Sequence, residues 1–125
     1  MSDQYISDKD GNVTKINNLI EWAEQFKDAS RRVILTEFEG SHINISTVFL
    51  GLDHSCDKES PVLWETMVFG LPCDDDEIQI RYISLENSWI GHENIVKRII
   101  KDYTIKPETR HDTHGGYNGP NHNVQ

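Results

Sequence analysis

The chain has 125 residues, of which 36% are apolar, and its formal net charge is −9. This length allows one domain with one modest core, and no run reaches the roughly 18 apolar residues of a membrane span. The sequence also lacks the cluster of Lys and Arg that direct nucleic-acid binding needs to neutralise phosphates. An acidic surface favours a protein partner with a basic face, while solubility alone is the plainer explanation of the charge.

The first residues and the cysteines predict a protein that is not exported. The chain begins Met-Ser-Asp-Gln, which is polar and acidic and carries no signal-peptide pattern. Cys56 and Cys73 fall in predicted loops without CxxC spacing, so their thiols are expected to be free. We therefore expect no disulfide, and nothing in the sequence calls for a metal or another cofactor.

The chain opens with a predicted β-hairpin at residues 5–16. Asp10 and Gly11 lie between two short alternating segments, and glycine accepts the positive φ that a two-residue turn requires. The alternating polar residues that begin at Asp8 also suggest an EF-hand calcium loop. That loop needs Gly at its sixth position and Glu at its twelfth, whereas Gly11 is fourth and Leu19 is twelfth. The hairpin is therefore the favoured interpretation.

A first amphipathic helix follows, with Asn17 or Asn18 as its N-cap. Its apolar stripe, defined by spacings of three and four, consists of Leu19, Trp22, Ala23 and Phe26. After this helix, residues 32–39 are predicted to form a strand.

Two strands within residues 43–69 form the centre of the predicted fold. Both are rich in β-branched and aromatic residues and flank a polar loop, which is typical of an antiparallel hairpin. Both pass from alternation to consecutive apolar residues, so we expect the hairpin to be covered on both faces near its loop. An acidic loop then leads to a further alternating strand at residues 78–83.

Ser84 is predicted to cap a second helix of about 19 residues that ends at Tyr103. One face of this helix carries Leu85, Trp89, His92, Val96, Ile99, Ile100 and Tyr103. Gly91 costs a helix about 1 kcal/mol relative to Ala, which close packing of that turn against the sheet would justify. Trp22, Trp64 and Trp89 are expected to line one core.

The sequence thus predicts an α+β fold with one domain over residues 1–106. A four-stranded antiparallel meander forms the sheet, preceded by the short N-terminal hairpin and packed by the two amphipathic helices.

Residues 107–125 bury almost nothing and are expected to be a disordered, flexible tail rich in Gly, Asn and His. Truncation after Lys106 is then expected to leave the melting temperature nearly unchanged. The tail residues that could bind a metal, in a context too flexible to do so tightly, are His111, Asp112, His114 and His122.

The order of several short motifs resembles a family of small proteins encoded by tailed bacteriophages and prophages. The motifs are Trp22-Ala23 with Phe26, Arg31-Arg32-Val33, Thr36-Glu37, Ser-Thr-Val-Phe-Leu-Gly-Leu-Asp-His at 46–54, Glu-Thr-Met-Val-Phe-Gly at 65–70, Arg81-Tyr82 and Gly91-His92-Glu93. The resemblance covers residues 5–103 and implies a viral accessory protein, but no particular reaction, because such proteins are uncharacterised. Relatives carry glycine- and proline-rich loops where this chain has residues 55–61 and 70–73, so a role for flexible glycines there is not implied.

Four polar residues stand among apolar neighbours and are the weak candidates for a catalytic site: Asp53, His54, Glu65 and His92. If three elements converged, zinc could take two imidazoles and a carboxylate and leave one position for water. The favoured alternative is that Asp53 accepts turn amides and that His92 is a satisfied core residue.

Glu65 alternates with apolar residues, so its carboxylate needs a partner. Antiparallel pairing through the acidic loop puts residue 81 or 82 opposite it, and Arg81 is the natural bidentate partner, with Tyr82 as the alternative. A structural ion pair is favoured, although Arg81 and Tyr82 could also form a minimal cationic and aromatic clamp for a ligand. The run Asp74-Asp75-Asp76-Glu77 is either a cation-binding loop or a solvated turn, which we favour. Its three aspartates are also candidates for binding a ligand or a partner.

The leading functional hypothesis is a non-enzymatic phage accessory protein that binds a host or phage protein with a basic face in the host cytoplasm. The first alternative is a small hydrolase or a protein that binds or sequesters a nucleotide, using Asp53, His54, Glu65, Arg81 and His92. The second alternative is a minor virion component. Membrane and direct nucleic-acid partners are not expected, and self-association is left open.

Overall fold

The computed structural model describes residues 3–28, 31–38, 40–53, 60–105 and 109–111, and of 28 and 109–111 only the backbone. The elements are β1 (Tyr5–Ser7), β2 (Val13–Lys15), α1 (Leu19–Asp28), β3 (Arg32–Glu37), β4 (Asn44–Phe49), β5 (Trp64–Phe69), β6 (Gln79–Tyr82), α2 (Leu85–Tyr103) and β7 (Thr109–His111). Strands β1 and β2 form a separate two-stranded sheet, and the others form an antiparallel sheet in the order β6-β5-β4-β3-β7. The predicted α+β fold and its meander are confirmed.

Strand β7 comes from the segment that the sequence assigns to a tail. It pairs antiparallel with β3, with Leu35 opposite His111 and Glu37 opposite Thr109. The tail prediction rested on the lack of side chains to bury, but an edge strand can be held by backbone hydrogen bonds alone. The remaining tail residues, including Asp112, His114 and His122, lie outside the described part of the chain. The disorder predicted for them is therefore not tested.

The N-terminal hairpin forms as predicted, with Gly11 in the left-handed region at φ 87°. The Asp8 carboxylate accepts hydrogen bonds from the backbone N–H groups of Asp10 and Asn12, at 2.9 and 3.0 Å. The hydrogen bond from the Asn12 backbone is the main cause that lowers the pKa of Asp8. These polar residues therefore hold a turn together, as residues at the start of an Asx-type turn do.

Helix α1 is capped by Asn18, whose Oδ1 accepts from the backbone N–H of Glu21 at 3.0 Å. Trp22 and Phe26 bury one side of it: their rings stack at 4.8 Å, and the Trp22 indole N–H donates to the carbonyl of Tyr5 at 3.0 Å. Helix α1 thus contacts the N-terminal hairpin, and Phe26 also meets Phe49 at the end of β4.

The predicted apolar stripe of α1 is wider than the contact it makes. Leu19 is 61% exposed and Ala23 is exposed, although both belong to the predicted stripe. The helix covers an end of the sheet and a three-residue strand, which is too small a surface to bury two full turns. Periodicity predicts which face is apolar, but not how much surface is available to cover it.

Helix α2 lies across β3, β4, β5 and β6 on one face of the large sheet. Ser84 caps it, with its hydroxyl accepting from the Asn87 backbone N–H at 3.0 Å, and the helix ends at Tyr103, as predicted. Two apolar clusters lie under it. One consists of Val33, Ile34, Phe49, Leu63, Trp64, Leu85 and Trp89, and the other of Phe38, Ile43, Ile45, Val68, Ile78, Ile95, Val96 and Ile99.

The prediction for the tryptophans holds fully for two of the three. Trp64 and Trp89 are 2% and 6% exposed and belong to one cluster. Trp22 is half-buried at the rim, where it contacts Phe26 and Tyr5, two partly buried residues that pack against that cluster. Within the described residues, no helix has the length and apolar composition needed to cross a membrane.

Candidate functional site

The centre of the interface between α2 and the sheet is polar. His92, fully buried on α2, lies 2.8 Å from the Thr36 hydroxyl through Nε2 and 2.7 Å from the Thr47 hydroxyl through Nδ1. The Thr47 hydroxyl also makes a short hydrogen bond with that of Thr66. The three threonines come from the adjacent strands β3, β4 and β5, on the face that carries α2. We call His92 with Thr36, Thr47 and Thr66 the polar belt.

The polar belt satisfies His92 within the core. Both ring nitrogens already have a hydroxyl partner, and 0% of the side chain is exposed. A general base must reach its substrate, directly or through one water. In this structure His92 is placed to join α2 to β3 and β4 directly, and to β5 through Thr47.

Asp53 has a structural partner as well. Its Oδ1 accepts from the backbone N–H of Val62 at 2.9 Å, and its own N–H donates to the carbonyl of Asp3. The carboxylate therefore ties together the two ends of the loop between β4 and β5. His54, which follows it, lies outside the described residues, so its part in the predicted site is untested.

Glu65 and His92 lie on opposite faces of the large sheet. Side chains alternate along a strand, and Thr66, next to Glu65, points toward α2 and the polar belt. The sheet therefore separates the Glu65 carboxylate from the His92 imidazole. Among the described residues, no three His, Cys, Asp or Glu side chains are grouped so that they could hold a metal ion.

Glu65 pairs with Arg81, as predicted. The two residues are in register on β5 and β6, and the Arg81 Nε lies 2.9 Å from Glu65 Oε2. The same oxygen accepts from the Gln79 amide at 2.7 Å, so the contact is shared rather than bidentate. The Glu65 side chain is 9% exposed and that of Arg81 is 44% exposed. A nearly buried carboxylate thus has one solvent-facing cationic partner.

Arg81 and Tyr82 do not form a clamp, because neighbours on a strand point to opposite faces. Tyr82 is half-buried on the α2 side, and its ring lies where a Cβ on Gly91 would be. Burial raises the pKa of Tyr82, and the nearby Thr66 hydroxyl acts in the opposite direction. Tyr82 therefore packs the edge of the sheet against the turn of α2 that contains Gly91.

A groove of about 390 Å³ lies between the acidic loop that follows β5 and the last turns of α2. Its lining consists of Asp74, Asp75, Asp76, Ile78, Arg98, Asp102 and Tyr103. We call it the acidic groove. Four carboxylates there face one guanidinium, and the three loop aspartates are exposed.

Two contacts on the α2 side shape the acidic groove. The Tyr103 hydroxyl donates to Asp75 Oδ2, and the Arg98 Nε lies 3.5 Å from Asp102 Oδ2 one turn along the helix. The hydrogen bond to Asp75 is the main cause that raises the pKa of Tyr103, followed by burial and the charges of Asp75 and Asp102, while Arg98 opposes it. The loop is therefore anchored to α2 at one point, and its other carboxylates remain exposed.

Sequence reasoning singled out the three aspartates but missed Arg98, Asp102 and Tyr103. The spacing of Arg98 and Asp102 indicates a helix pair, and nothing local indicates that the loop lies beside them. Only the path of α2 across β5 and β6 brings the two segments together. The exposed Cys73 thiol in the same loop is free, as predicted, and Cys56 lies outside the described residues.

Comparison with known proteins gave no match to a family, to a curated protein or to a solved structure.

Proposed function

We propose that this chain is a small acidic accessory protein that works by binding another protein, whose Lys or Arg side chains enter the acidic groove. The observation that carries the proposal is the groove itself, where four carboxylates, a tyrosine ring and an isoleucine line one concave surface beside Arg98, whose guanidinium is paired with Asp102. The resemblance to small proteins of tailed bacteriophages further suggests a host or phage protein as the partner, in the host cytoplasm.

The chemistry of the groove suits a long cationic side chain. The ammonium or guanidinium group would pair with the exposed carboxylates of Asp74 and Asp76, while the alkyl stem would lie against Ile78 and the Tyr103 ring. A single exposed ion pair contributes only about 0.2–1 kcal/mol, so affinity would need several basic residues of the partner. The charge of −9 would raise the association rate with a basic protein and make it sensitive to salt.

The first experiment compares two variants of equal charge. One carries Asp74→Asn, Asp75→Asn and Asp76→Asn, and the control carries Glu21→Gln, Glu24→Gln and Glu86→Gln, three exposed acids outside the groove. Tagged wild-type protein is used to capture a partner from host and infected-host lysates, and the partner is then purified. We expect the groove variant to bind it at least tenfold more weakly than wild type at low salt, and the control to stay within about twofold.

Binding is measured by titration calorimetry at two salt concentrations, after melting curves have shown that both variants fold. Loss of affinity in both variants alike would indicate a nonspecific charge effect and contradict the role of the groove. Capture of no stoichiometric partner from either lysate would remove the basis for a protein-binding function.

A further inference from the structure

Strand β6 forms one edge of the large sheet. Among the described strands it is the outermost in the order β6-β5-β4-β3-β7, and three of its four residues are exposed. The carbonyls of Ile78 and Tyr82 accept hydrogen bonds from backbone N–H groups in and next to β5. Backbone groups alternate in direction along a strand, so those of Gln79 and Arg81 point away from β5. Strand β6 therefore presents donors and acceptors with which a further strand could pair.

The edge has few of the features that keep sheet edges apart. Proteins commonly block an edge with Pro, with Lys or with a bulge. Strand β6 contains neither residue, and it stays in register with β5 over its whole length. The single charge of the strand, on Arg81, is already paired with Glu65 of the same chain. Two isoleucines at this edge are exposed, Ile80 by 38% and Ile83 by 53%.

The side chains of β6 on the face away from α2 are complementary to one another. The Gln79 amide nitrogen and the Arg81 Nε both bond to Glu65 Oε2, at 2.7 and 2.9 Å. The Gln79 carbonyl oxygen is thus left as an acceptor, and the terminal nitrogens of the half-exposed Arg81 guanidinium are left as donors. Two copies of β6 paired antiparallel about Ile80 would set each Gln79 opposite the Arg81 of the other copy. Each guanidinium would then meet a neutral acceptor.

We propose that β6 is a self-association surface, where a second copy of this chain pairs antiparallel about a two-fold axis at Ile80. The pairs of Gln79 with Arg81 are hydrogen-bonded, because both residues point their backbone groups outward. The two Ile80 side chains meet in a non-hydrogen-bonded pair, where side chains are closest. A register centred on Arg81 would instead set like charges directly opposite each other, which is unfavourable. This inference does not rest on the proposed partner of the acidic groove.

The pairing is expected to be weak and to depend on salt. A strand of four residues buries less surface than a standard interface, and the charge of −9 on each copy opposes their approach. We therefore expect a dissociation constant of roughly 0.1 mM at physiological salt, and tighter association as added salt screens the repulsion.

The first experiment measures molecular mass by sedimentation equilibrium from about 10 µM to about 1 mM protein, a range that brackets the expected constant. A reductant is present so that Cys56 and Cys73 cannot form disulfides between copies. Ile80→Lys sets two ammonium groups opposite each other at the axis. The matched control is Ile20→Lys, the same substitution at a position on α1 that is 73% exposed. Melting curves first establish that both variants fold.

We expect wild type and Ile20→Lys to rise from 14.4 kDa toward twice that mass. Ile80→Lys should associate at least about tenfold more weakly, because like charges then face each other. Wild type that stays monomeric throughout would overturn the proposal and leave the edge to a different protein. Equal association of wild type and Ile80→Lys would overturn it as well, because the copies would then meet at another surface. An equal loss in both lysine variants would be a general effect of the substitution and would likewise count against the edge.

A second measurement tests the position of the axis and covers the case in which Ile80→Lys does not fold. Ile80→Cys is combined with Cys56→Ser and Cys73→Ser, and the control carries Ile20→Cys in the same background. Residues opposite each other in a non-hydrogen-bonded pair have Cα atoms about 4.5 Å apart, within the range of a disulfide. Under oxidised glutathione, we expect Ile80→Cys to form a covalent dimer at least about tenfold faster than Ile20→Cys. Equal rates would overturn the pairing about Ile80.

Discussion

Glu65 illustrates how much a single residue can reveal at the sequence level. Its alternation with Leu63 and Met67 indicates a carboxylate that needs a partner, and the length of the acidic loop indicates Arg81. The structure confirms this pairing and its register. It also adds Gln79, a second donor to the same oxygen, which alternation alone does not reveal because an exposed amide has no need of a partner.

The Glu65–Arg81 pair gives a prediction for stability. Exposed ion pairs contribute about 0.2–1 kcal/mol, and breaking buried ones costs about 3–5 kcal/mol. With one partner nearly buried and the other 44% exposed, we expect Glu65→Gln or Arg81→Met to cost about 1–3 kcal/mol in urea unfolding. The double variant should recover part of this loss, because no charge is then stranded.

The control for this prediction is Arg98→Met, which breaks the exposed pair with Asp102 on α2. Such a helix pair is expected to contribute at most about 0.5 kcal/mol. Equal costs for Arg81→Met and Arg98→Met would show that the burial of Glu65 adds nothing to its pair.

Tyr103 gives a prediction for alkaline pH. Its pKa is raised, chiefly by the hydrogen bond to Asp75, so the neutral phenol is favoured in the folded protein. Because the pKa of Tyr103 is raised in the folded state, its hydrogen bond contributes stability below pH 10. That contribution is lost as pH rises through the folded-state pKa. In an absorbance titration, Asp75→Asn should lower the pKa of one tyrosine back toward 10. Tyr82, whose shift comes from burial, should not move.

At the scale of elements, the two helices differ in how well the sequence predicts them. The cap and end of α2 follow from local chemistry and a long periodic pattern, and the structure confirms them. Most of the predicted buried face is confirmed too, although Ile100 and Tyr103 are only partly buried and Ile95 is an additional buried residue. Helix α1 has an equally clear pattern, but Leu19 and Ala23 of its predicted stripe are exposed. What covers an apolar face depends on where distant elements lie, and that information is not local.

Gly91 gives a prediction about the packing of α2. In an open helix, Gly91→Ala would stabilise by about 1 kcal/mol. Here the added Cβ would overlap the Tyr82 ring, and overpacking costs about 1–3 kcal/mol. We therefore expect Gly91→Ala to destabilise the protein in urea unfolding, and Gly91→Ala in a Tyr82→Ala background to stabilise it. Destabilisation in both backgrounds would mean that the Tyr82 contact is not the reason for glycine.

Strand β7 gives a prediction about the end of the chain. The sequence predicts no loss of melting temperature on truncation after Lys106, whereas the structure pairs residues 109–111 with β3. Truncation after His111 keeps this strand and serves as the reference. Truncation after Lys106 exposes the edge of β3 and should lower the melting temperature by a few degrees, since about 1 kcal/mol corresponds to roughly 3–6 °C at this length. Identical melting curves would show that β7 contributes nothing measurable.

For the whole molecule, the sequence predicts the order of strands better than the places where elements meet. The meander follows from the order of the strands along the chain, because consecutive antiparallel strands tend to pair. The polar belt needs three strands and one helix to place Thr36, Thr47, Thr66 and His92 together. The acidic groove needs the path of α2 over the sheet. Both depend on packing between residues far apart in sequence, which no local pattern specifies.

The charge of the whole molecule gives the final prediction. A net charge of −9 on 125 residues destabilises the compact state by self-repulsion, and four carboxylates of the acidic groove add a local share. Salt screens this repulsion, so the melting temperature should rise between about 10 mM and 200 mM sodium chloride.

Replacing Asp74 and Asp76 by Asn leaves the hydrogen bond between Asp75 and Tyr103 in place and removes two charges from the groove. This variant should be more stable than wild type at low salt and gain less from added salt than Glu21→Gln with Glu24→Gln, which removes two exposed charges from α1. Equal salt responses in the two double variants would show that the carboxylates of the acidic groove repel one another no more than charges elsewhere on the surface do.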